Sequence, residues 1–594
     1  MKPLFSTVRG QQKSHSTRRQ ALITRVLAAP RVQAEIQRQC QGGRDRLQLE
    51  QEALADLEEI CSCIDPATVE RLEPLFNRLL SRLYPRLEVE GLQFITTLQH
   101  THQLIFLPTH RSHIDYLLLS WILHRRGCEL PYIGAGRNLN LPLIGPVLQR
   151  GGAVFMRRSF LDDPLYTQLF NANLDELFAR ARPFEFFPEG TRSRTGRLLP
   201  PKLGLLGMCL SAWQNVGQRP LALVPIAISY DLCLDNSQYL RELSGGTKQK
   251  ETLVGTLASA GRLLRDCGGA YIRVAQPLLL EQGTPPPDTT ALAGAVSRRL
   301  NSAMVSSGSA RLALLLLAGS EPSTPTARVE AGLNALNHLL DQFNMPRPNN
   351  DLEPAAIIAE TARQGLITQQ GATLSLTQRQ AAGLCFYRNT LQHGLILPAL
   401  ILLLSARLKT PSKSTVTRLI KALLPYLDAE LTLPPDQLDS DFPARARHIL
   451  IEQGLLEANQ HWLKTRNNPL CHALIHLAET LLLRQFLLLK ALHTQSGWHK
   501  GLLLDTVTRL AVHIHGWYGH QAPDYGDKRL LEPLIDQLER QHLLALTDDR
   551  VEVRRDLTPI LRIGEKLLPG VLIQESQRWL NGMSSQSASS RRNA

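Results

Sequence analysis

"LIFLPTHRSHIDYLLLSWILHRR", residues 104–126, joins a short apolar run to a longer one through a turn holding two histidines, an arginine, a serine and an aspartate. Leu104 to Pro108 has the length and residue types of a buried strand, while the leucines and isoleucine after Asp115 recur at helical spacing. A strand, a turn and a helix in that order put His110 at the carboxyl end of a strand, where open α/β sheets bind their ligands. Two plainer readings stand beside this one. Ser112 and Asp115 have the spacing of a helix capping box, and His110 also suits a surface turn. His113 is two residues from Asp115, projects to another helix face and is the poorer partner for it.

Outward from this stretch the same alternation continues. After "LEVEG" (87–91), strand-like runs occur at 131–135, 152–156, 184–188, 221–229 and 270–276, separated by helical stretches. This pattern predicts an α/β fold, a sheet flanked by helical crossovers, over residues 86–283. Residues 1–85 read as a helical N-terminal region. The proline-rich run "EQGTPPPDTT" (281–290) predicts a domain edge. A larger, mostly helical C-terminal domain over 284–583 follows, with one hairpin near 543–554 turning at Asp548 and Asp549. Residues 584–594, poor in apolar side chains, read as a disordered tail.

The chain has 594 residues, enough for two or three domains, and carries 66 Lys+Arg against 53 Asp+Glu for a formal charge of +13. That surplus favours an anionic partner: nucleic acid, lipid headgroups or a phosphorylated substrate. Nucleic acid is disfavoured, because no aromatic interleaving or zinc-finger pattern accompanies the basic residues. The nine cysteines are scattered and read as reduced thiols, and Cys61 and Cys63 are too close for half of a zinc knuckle, so no metal is expected. The stretch "MKPLFSTVRGQQKSHSTRRQ" is followed by no apolar signal core, which predicts the cytoplasmic side. Gly394 to Ala406 is apolar, but its 13 residues contain Pro398 and fall short of the ~20 that a bilayer span needs. It reads as a core helix, with a segment dipping into one leaflet as the alternative.

Two further clusters leave strand ends. "GGAVFMRRSF" supplies Arg157 and Arg158, and "FFPEGTRSRTGRLLPPK" supplies Glu189, Gly190, Arg192, Arg194, Arg197 and Lys202. An arginine fork suits a phosphate dianion, each charge-assisted hydrogen bond contributing roughly 1.5–3 kcal/mol. With the His/Asp pair, three strand ends bring these residues toward one sheet edge.

Taken together the sequence resembles the bacterial membrane glycerol-3-phosphate acyltransferases of the PlsB type, within the wider glycerolipid acyltransferase family. The family's H-x4-D motif matches His110 and Asp115, and its later blocks match "GGAVFMRRSF", "FPEGTRSRTGRLLPPK" and "LVPIAISYD" with Pro225 at its centre. Similarity extends through "ELSGGTKQKETL" (242–253), "FYRNTLQHGLILPALI" (386–401) and "HGWYGHQAPDYGDK" (515–528). The third block reads Pro-Glu-Gly-Thr, closer to the lysophosphatidate acyltransferases, so lysophosphatidate or dihydroxyacetone phosphate stays as the alternative acceptor.

The resemblance implies transfer of a fatty acyl group from acyl-CoA or acyl carrier protein to the sn-1 hydroxyl of glycerol 3-phosphate, the first step of phospholipid synthesis. It implies no cofactor beyond the acyl thioester and a peripheral or monotopic place on the cytoplasmic face of the inner membrane. His110 becomes the general base and Asp115 its orienter, while Ser112 caps the helix rather than attacking. No G-x-S-x-G elbow is present, so direct transfer without an acyl-enzyme is expected. Arg157, Arg192 and Arg194 fall to the substrate phosphate, with Arg158, Glu189, Gly190, Arg197, Lys202 and Pro225 alongside as substrate contacts. Leu139 to Leu148 and the 394–406 segment are the candidate lipid-facing surfaces.

Overall fold

The computed structural model describes residues 16–592 except 143, 158–161, 244–265, 284, 286–287, 320–322, 460–462, 517–524 and 526, and leaves out the side chains of 237, 241–243 and 583–592. Arg158, most of "ELSGGTKQKETL", part of "HGWYGHQAPDYGDK" and most of the N-terminal stretch lie outside the described residues.

All the expected strands form. They are β1 (Arg86–Glu90), β2 (Gln103–Pro108), β3 (Tyr132–Gly136), β4 (Ala153–Met156), β5 (Phe184–Glu185), β6 (Leu221–Tyr230) and β7 (Gly269–Val274), with a short β8 (Leu278–Leu280) added. The sheet order is β1-β7-β6-β2-β5-β3-β4, and β8 pairs with β6. β2 runs parallel to β6, with Leu107 opposite Pro225, and parallel to β5, with Phe106 opposite Glu185. β7 is antiparallel to β6 and parallel to β1, so the sheet is mixed.

Both faces are covered, which is why β2 and β6 read as unbroken apolar runs. Alternate residues serve opposite layers. Ile105, Leu107, Leu221 and Leu223 pack with the helices Pro30–Gln41, Arg46–Ile60, Pro164–Phe178 and Leu203–Val216. Leu104, Phe106, Ala222, Val224 and Ile226 pack with the helices Pro66–Leu83 and Asp115–Arg125. The N-terminal helices are thus layers on the sheet. The same holds for Thr289–Ser302, whose Leu292, Val296 and Leu300 join the first layer. The proline-rich run therefore does not end the α/β unit as its composition suggests, because an amphipathic helix beyond it completes that layer.

The C-terminal core is built around Gln392–Arg407 lying against Pro469–Thr494. Every residue from Gln392 to Ser405 is buried, so 394–406 is a core helix and drops out as a lipid-facing candidate. Among the described residues one unbroken helix, Pro469–Thr494, is long and apolar enough to cross a membrane, and 83% of its most apolar window is buried inside the protein. The expected hairpin forms from Leu544–Thr547 and Arg550–Val553. Asp548 and Asp549 take φ of 48° and 61°, the positive pair that a tight type I′ turn requires. Residues 584–592, expected as a disordered tail, instead continue the helix Gly570–Arg592, where a chain of Ser, Ala and Gln extends a turn already nucleated by packed residues.

The two regions meet behind the third motif. Asn389 donates to the Thr195 carbonyl at 2.9 Å, and Asn301 donates to the Leu431 and Thr432 carbonyls. At Gly196, φ is +81° and a Cβ would collide with the Phe386 carbonyl, so only glycine lets the helix approach. His393 is buried beside this contact, and desolvation holds its imidazole down to about 4, helped by the charge of Arg111 and opposed by a hydrogen bond to the Asn301 backbone. The folded state keeps His393 neutral while the unfolded chain protonates near 6.5. Stability from this group is therefore full above pH 6.5 and falls as pH drops toward 4, by about 3 kcal/mol in total. His393→Gln is expected to flatten the acid side of the melting-temperature profile, and an unchanged profile would refute the neutral assignment.

Candidate active site

The carboxyl ends of β2, β5 and β4 open onto one cavity of about 1120 Å³. β2 delivers His110 after Pro108 and Thr109, and the helix beginning at Asp115 returns a carboxylate to it. His110 Nδ1 lies 3.0 Å from Asp115 Oδ2, with the Asp115 side chain wholly buried. The same oxygen accepts the backbone N–H groups of Arg111 at 2.7 Å and Ser112 at 2.8 Å, while Oδ1 accepts the Tyr230 hydroxyl at 2.7 Å. Four donors fix the carboxylate, and one of them is the imidazole. That bond assigns the proton to Nδ1 and leaves Nε2 as the basic ring nitrogen. Phe187 stacks on the ring at 3.9 Å and sets its plane.

Only half of the expected capping box exists. Asp115 accepts the Ser112 N–H, but the helix starts after Ile114 with no side-chain cap, and the Ser112 hydroxyl accepts weakly from Ile114 N at 3.4 Å. The turn is tied by the aspartate rather than by the serine. His113 lines the cavity beside His110, and its backbone N–H donates to Asp235.

Glu189 is buried and does more than shape a turn. It accepts the His110 N–H at 2.8 Å and the Leu199 N–H at 2.9 Å, and it pairs with the buried Arg111 at 3.2 Å. It thereby locks the first and third motif loops together, assisted by Ser193 N–H donating to the His110 carbonyl. A charge so placed compensates Arg111 instead of meeting a ligand. The Gly190 N–H donates to the Phe187 carbonyl, so in this arrangement it is already satisfied and offers no oxyanion contact.

The cavity's lining cations are Arg157, Arg192, Arg194, Lys202 and Arg529, against Glu73 as the only carboxylate among its described lining residues. They differ in what already holds them. Arg157 is bridged by Asp56 at 2.5 Å and Asp163 at 2.7 Å and lies over the Tyr166 ring, so its charge is largely spent at the cavity wall. Arg192 lies 3.4 Å from Asp235 and over Tyr239. Arg194 is half-buried, and Lys202 stands at the start of the helix Leu203–Val216 with its stem crossing Gly190. Arg197 is not at the cavity: it is buried against Glu430 at 2.6 Å and ties the loop to the C-terminal region. Pro225 is inside the sheet opposite Leu107, also away from the cavity, and its carbonyl accepts the Ala275 N–H at 2.9 Å.

The remaining wall is apolar, from Leu72 and Phe76 of the helix Pro66–Leu83, Tyr116 and Trp121 of the helix Asp115–Arg125, and Leu139 and Leu148 beyond β3. No cysteine lines the cavity among the described residues. Sequence reading missed Tyr230, Phe187, Asp235 and Arg529. Tyr230 lies inside the fourth motif and Asp235 just beyond it, and polar residues at the end of an apolar strand were the available signal. Behind the site, Glu185 on β5 is buried with neither carboxyl oxygen bonded among the described residues, and burial pushes its pKa well up.

A family model described as "Acyltransferase" covers residues 86–229, and one described as "Glycerol-3-phosphate acyltransferase C-terminal region" covers 239–547. A Pseudomonas putida (strain W619) protein named glycerol-3-phosphate acyltransferase is 32% identical over 587 residues, covering 91% of this chain and 69% of that protein. A Pseudomonas aeruginosa (strain UCBPP-PA14) protein of the same name is 32% identical, covering 90% and 68%. Among solved structures, the 1-acyl-sn-glycerophosphate acyltransferase from Thermotoga maritima aligns at a TM-score of 0.25 with 17% identity, over 48% of this chain and 92% of that one.

Proposed function

The chain belongs to the glycerol-3-phosphate acyltransferase family and is an enzyme of that activity, and from this premise we propose how it works: His110 activates the sn-1 hydroxyl of glycerol 3-phosphate for direct attack on an acyl thioester. The observation that carries this reading is one cavity joining a carboxylate-bonded histidine, a cluster of arginines and a long apolar wall.

In the reaction His110 Nε2 takes the proton of the acceptor hydroxyl as its oxygen bonds to the thioester carbon. The tetrahedral intermediate collapses with loss of the thiolate of coenzyme A or of the carrier protein's pantetheine, and the imidazolium returns the proton to that sulfur. Asp115 stabilises the imidazolium in between, and a positioned base of this kind contributes ~10² to 10⁴ in rate. Arg192, Arg194 and Lys202 hold the acceptor phosphate, and Arg157, already paired, borders it. The apolar wall takes the acyl chain. No cofactor takes part.

A place on the cytoplasmic face of the inner membrane fits the exposed apolar residues beside the cavity, Leu75 on the helix Pro66–Leu83, Val147 and Leu203, together with the formal charge of +13. Leu139 to Leu148 keeps its lipid-facing assignment on this basis, with residue 143 outside the described residues.

One labelled acyl thioester offered to glycerol 3-phosphate, dihydroxyacetone phosphate and lysophosphatidate tests the acceptor. The expected result is the highest kcat/KM for glycerol 3-phosphate with the acyl group at sn-1, and a preference for lysophosphatidate overturns it. Gly190 supplies a second check. Its φ is +65°, and a Cβ there would sit 2.7 Å from Lys202 Cδ. Gly190→Ala is expected to displace Lys202 and raise the KM for glycerol 3-phosphate several-fold, at a backbone cost of about 1–2 kcal/mol. An unchanged acceptor KM would place Lys202 outside the phosphate site.

A further inference from the structure

The α/β unit does not close the cavity alone. Arg529 lines it from the far end of the chain. Its segment is anchored in the C-terminal core: Tyr525 is buried, donates to the Thr480 carbonyl and lies 4.2 Å from the His515 ring, and Leu530 and Leu531 are buried just beyond. Asp527 caps the short 3-10 turn Lys528–Leu530 and grips the guanidinium side-on, with Nε to Oδ1 at 2.9 Å and Nη2 to Oδ2 at 2.6 Å. A guanidinium has two forks, and a carboxylate on the Nε/Nη2 side leaves the terminal Nη1/Nη2 fork for a second oxyanion. Arg157 differs, because both of its terminal nitrogens already meet carboxylates. The charge of Glu189, which holds the His110 backbone, acts on Arg529. The guanidinium is one of five cations lining this cavity, with Arg157, Arg192, Arg194 and Lys202, against the single carboxylate Glu73 among the described lining residues.

We infer that Arg529 is a substrate-binding residue contacting the acceptor phosphate, with Asp527 as its positioning residue, so that the C-terminal region completes the acceptor site. The inference rests on the proposed acceptor reading and adds a residue that the α/β motifs do not contain. It gives the C-terminal region a direct part in substrate recognition beyond bracing the third motif through Arg197.

The test uses the full chain with Arg529→Ala, Arg529→Lys and Asp527→Asn, and Arg194→Ala as the reference. Initial rates are measured with glycerol 3-phosphate varied at saturating acyl-CoA and then with the roles exchanged. Inorganic phosphate serves as a competitive inhibitor, and melting temperatures report folding. Arg529→Ala is expected to raise the acceptor KM about tenfold or more, the scale of one lost charge-assisted contact. The donor KM should stay within about twofold, and inhibition by phosphate should weaken in parallel. Arg529→Lys should recover part of the loss, since it returns the charge without the fork. Asp527→Asn, which keeps the turn capped, should give an intermediate rise.

If Arg529→Ala leaves the acceptor KM within about twofold while Arg194→Ala raises it, this inference fails and the acceptor reading stands. If neither moves it, the acceptor reading itself falls. A rise in the donor KM instead assigns Arg529 to the pantetheine phosphate and overturns the proposal. Should Arg529→Ala melt early, the lysine variant and the phosphate inhibition constant decide.

Discussion

His110→Ala lowers kcat by about 10² to 10⁴ in protein that stays folded at the assay temperature. The ring stands at the cavity wall with 16% of its side chain exposed and stacks on Phe187, so its loss also costs packing of about 1 kcal/mol, far less than the loss in rate. What it removes is the acceptor for the hydroxyl proton. The KM for each substrate should change little, because neither phosphate nor acyl chain is held by the imidazole. Asp115→Asn separates charge from geometry in the same pair. The amide oxygen can keep the position that accepts the Arg111 and Ser112 N–H groups, and the amide nitrogen can donate to Tyr230, whose hydroxyl becomes the acceptor. The fold should survive, and Nδ1 keeps the amide oxygen as its acceptor, while kcat falls because the imidazolium loses its counter-charge. Full activity in either variant, measured beside a melting curve, would remove the pair from the chemistry.

The largest effect on stability is expected at Glu430, far from the cavity. This buried carboxylate meets Arg197 at 2.6 Å, pairs with the fully buried Arg484, and accepts from Gln485 at 2.8 Å. Alanine at this position removes the Glu430 charge from beside two buried guanidinium groups, at a cost of about 3–5 kcal/mol. The lost activity should exceed what unfolding explains, because Arg197 braces the loop that carries Arg192 and Arg194. Urea titration and residual activity at low temperature check both parts. A variant within about 1 kcal/mol of the parent would show that water reaches the site and hydrates the arginines.

Much of the α/β unit was legible because burial on both faces writes an uninterrupted apolar run, as in Leu221 to Ile228. The His110–Asp115 pair was legible because its two members are neighbours in the chain. What stayed hidden depends on partners far apart. Nothing local distinguishes Arg197, which finds Glu430 across 233 positions, from Arg194, which lines the cavity on the same loop. Arg157 has the residue type expected of a phosphate ligand, yet Asp56 from an N-terminal helix occupies it. Glu189 resembles a ligand-shaping turn residue until the buried Arg111 opposite it is seen. The helix Thr289–Ser302 was assigned past a boundary because a proline run breaks the chain's regular structure without deciding which side the next helix packs on. Arg529 directly follows the family-like stretch 515–528, but no strand end there pointed to the sheet edge.

The central claim is that the acyl group passes straight to the acceptor hydroxyl, with His110 handling only the proton. Mixing the enzyme with labelled acyl-CoA in the absence of acceptor, then quenching and weighing the intact protein, tests this most directly. The account predicts no added acyl mass and no release of coenzyme A until glycerol 3-phosphate is supplied. A stoichiometric acyl adduct on the protein, formed before the acceptor arrives and discharged by it, would contradict the account.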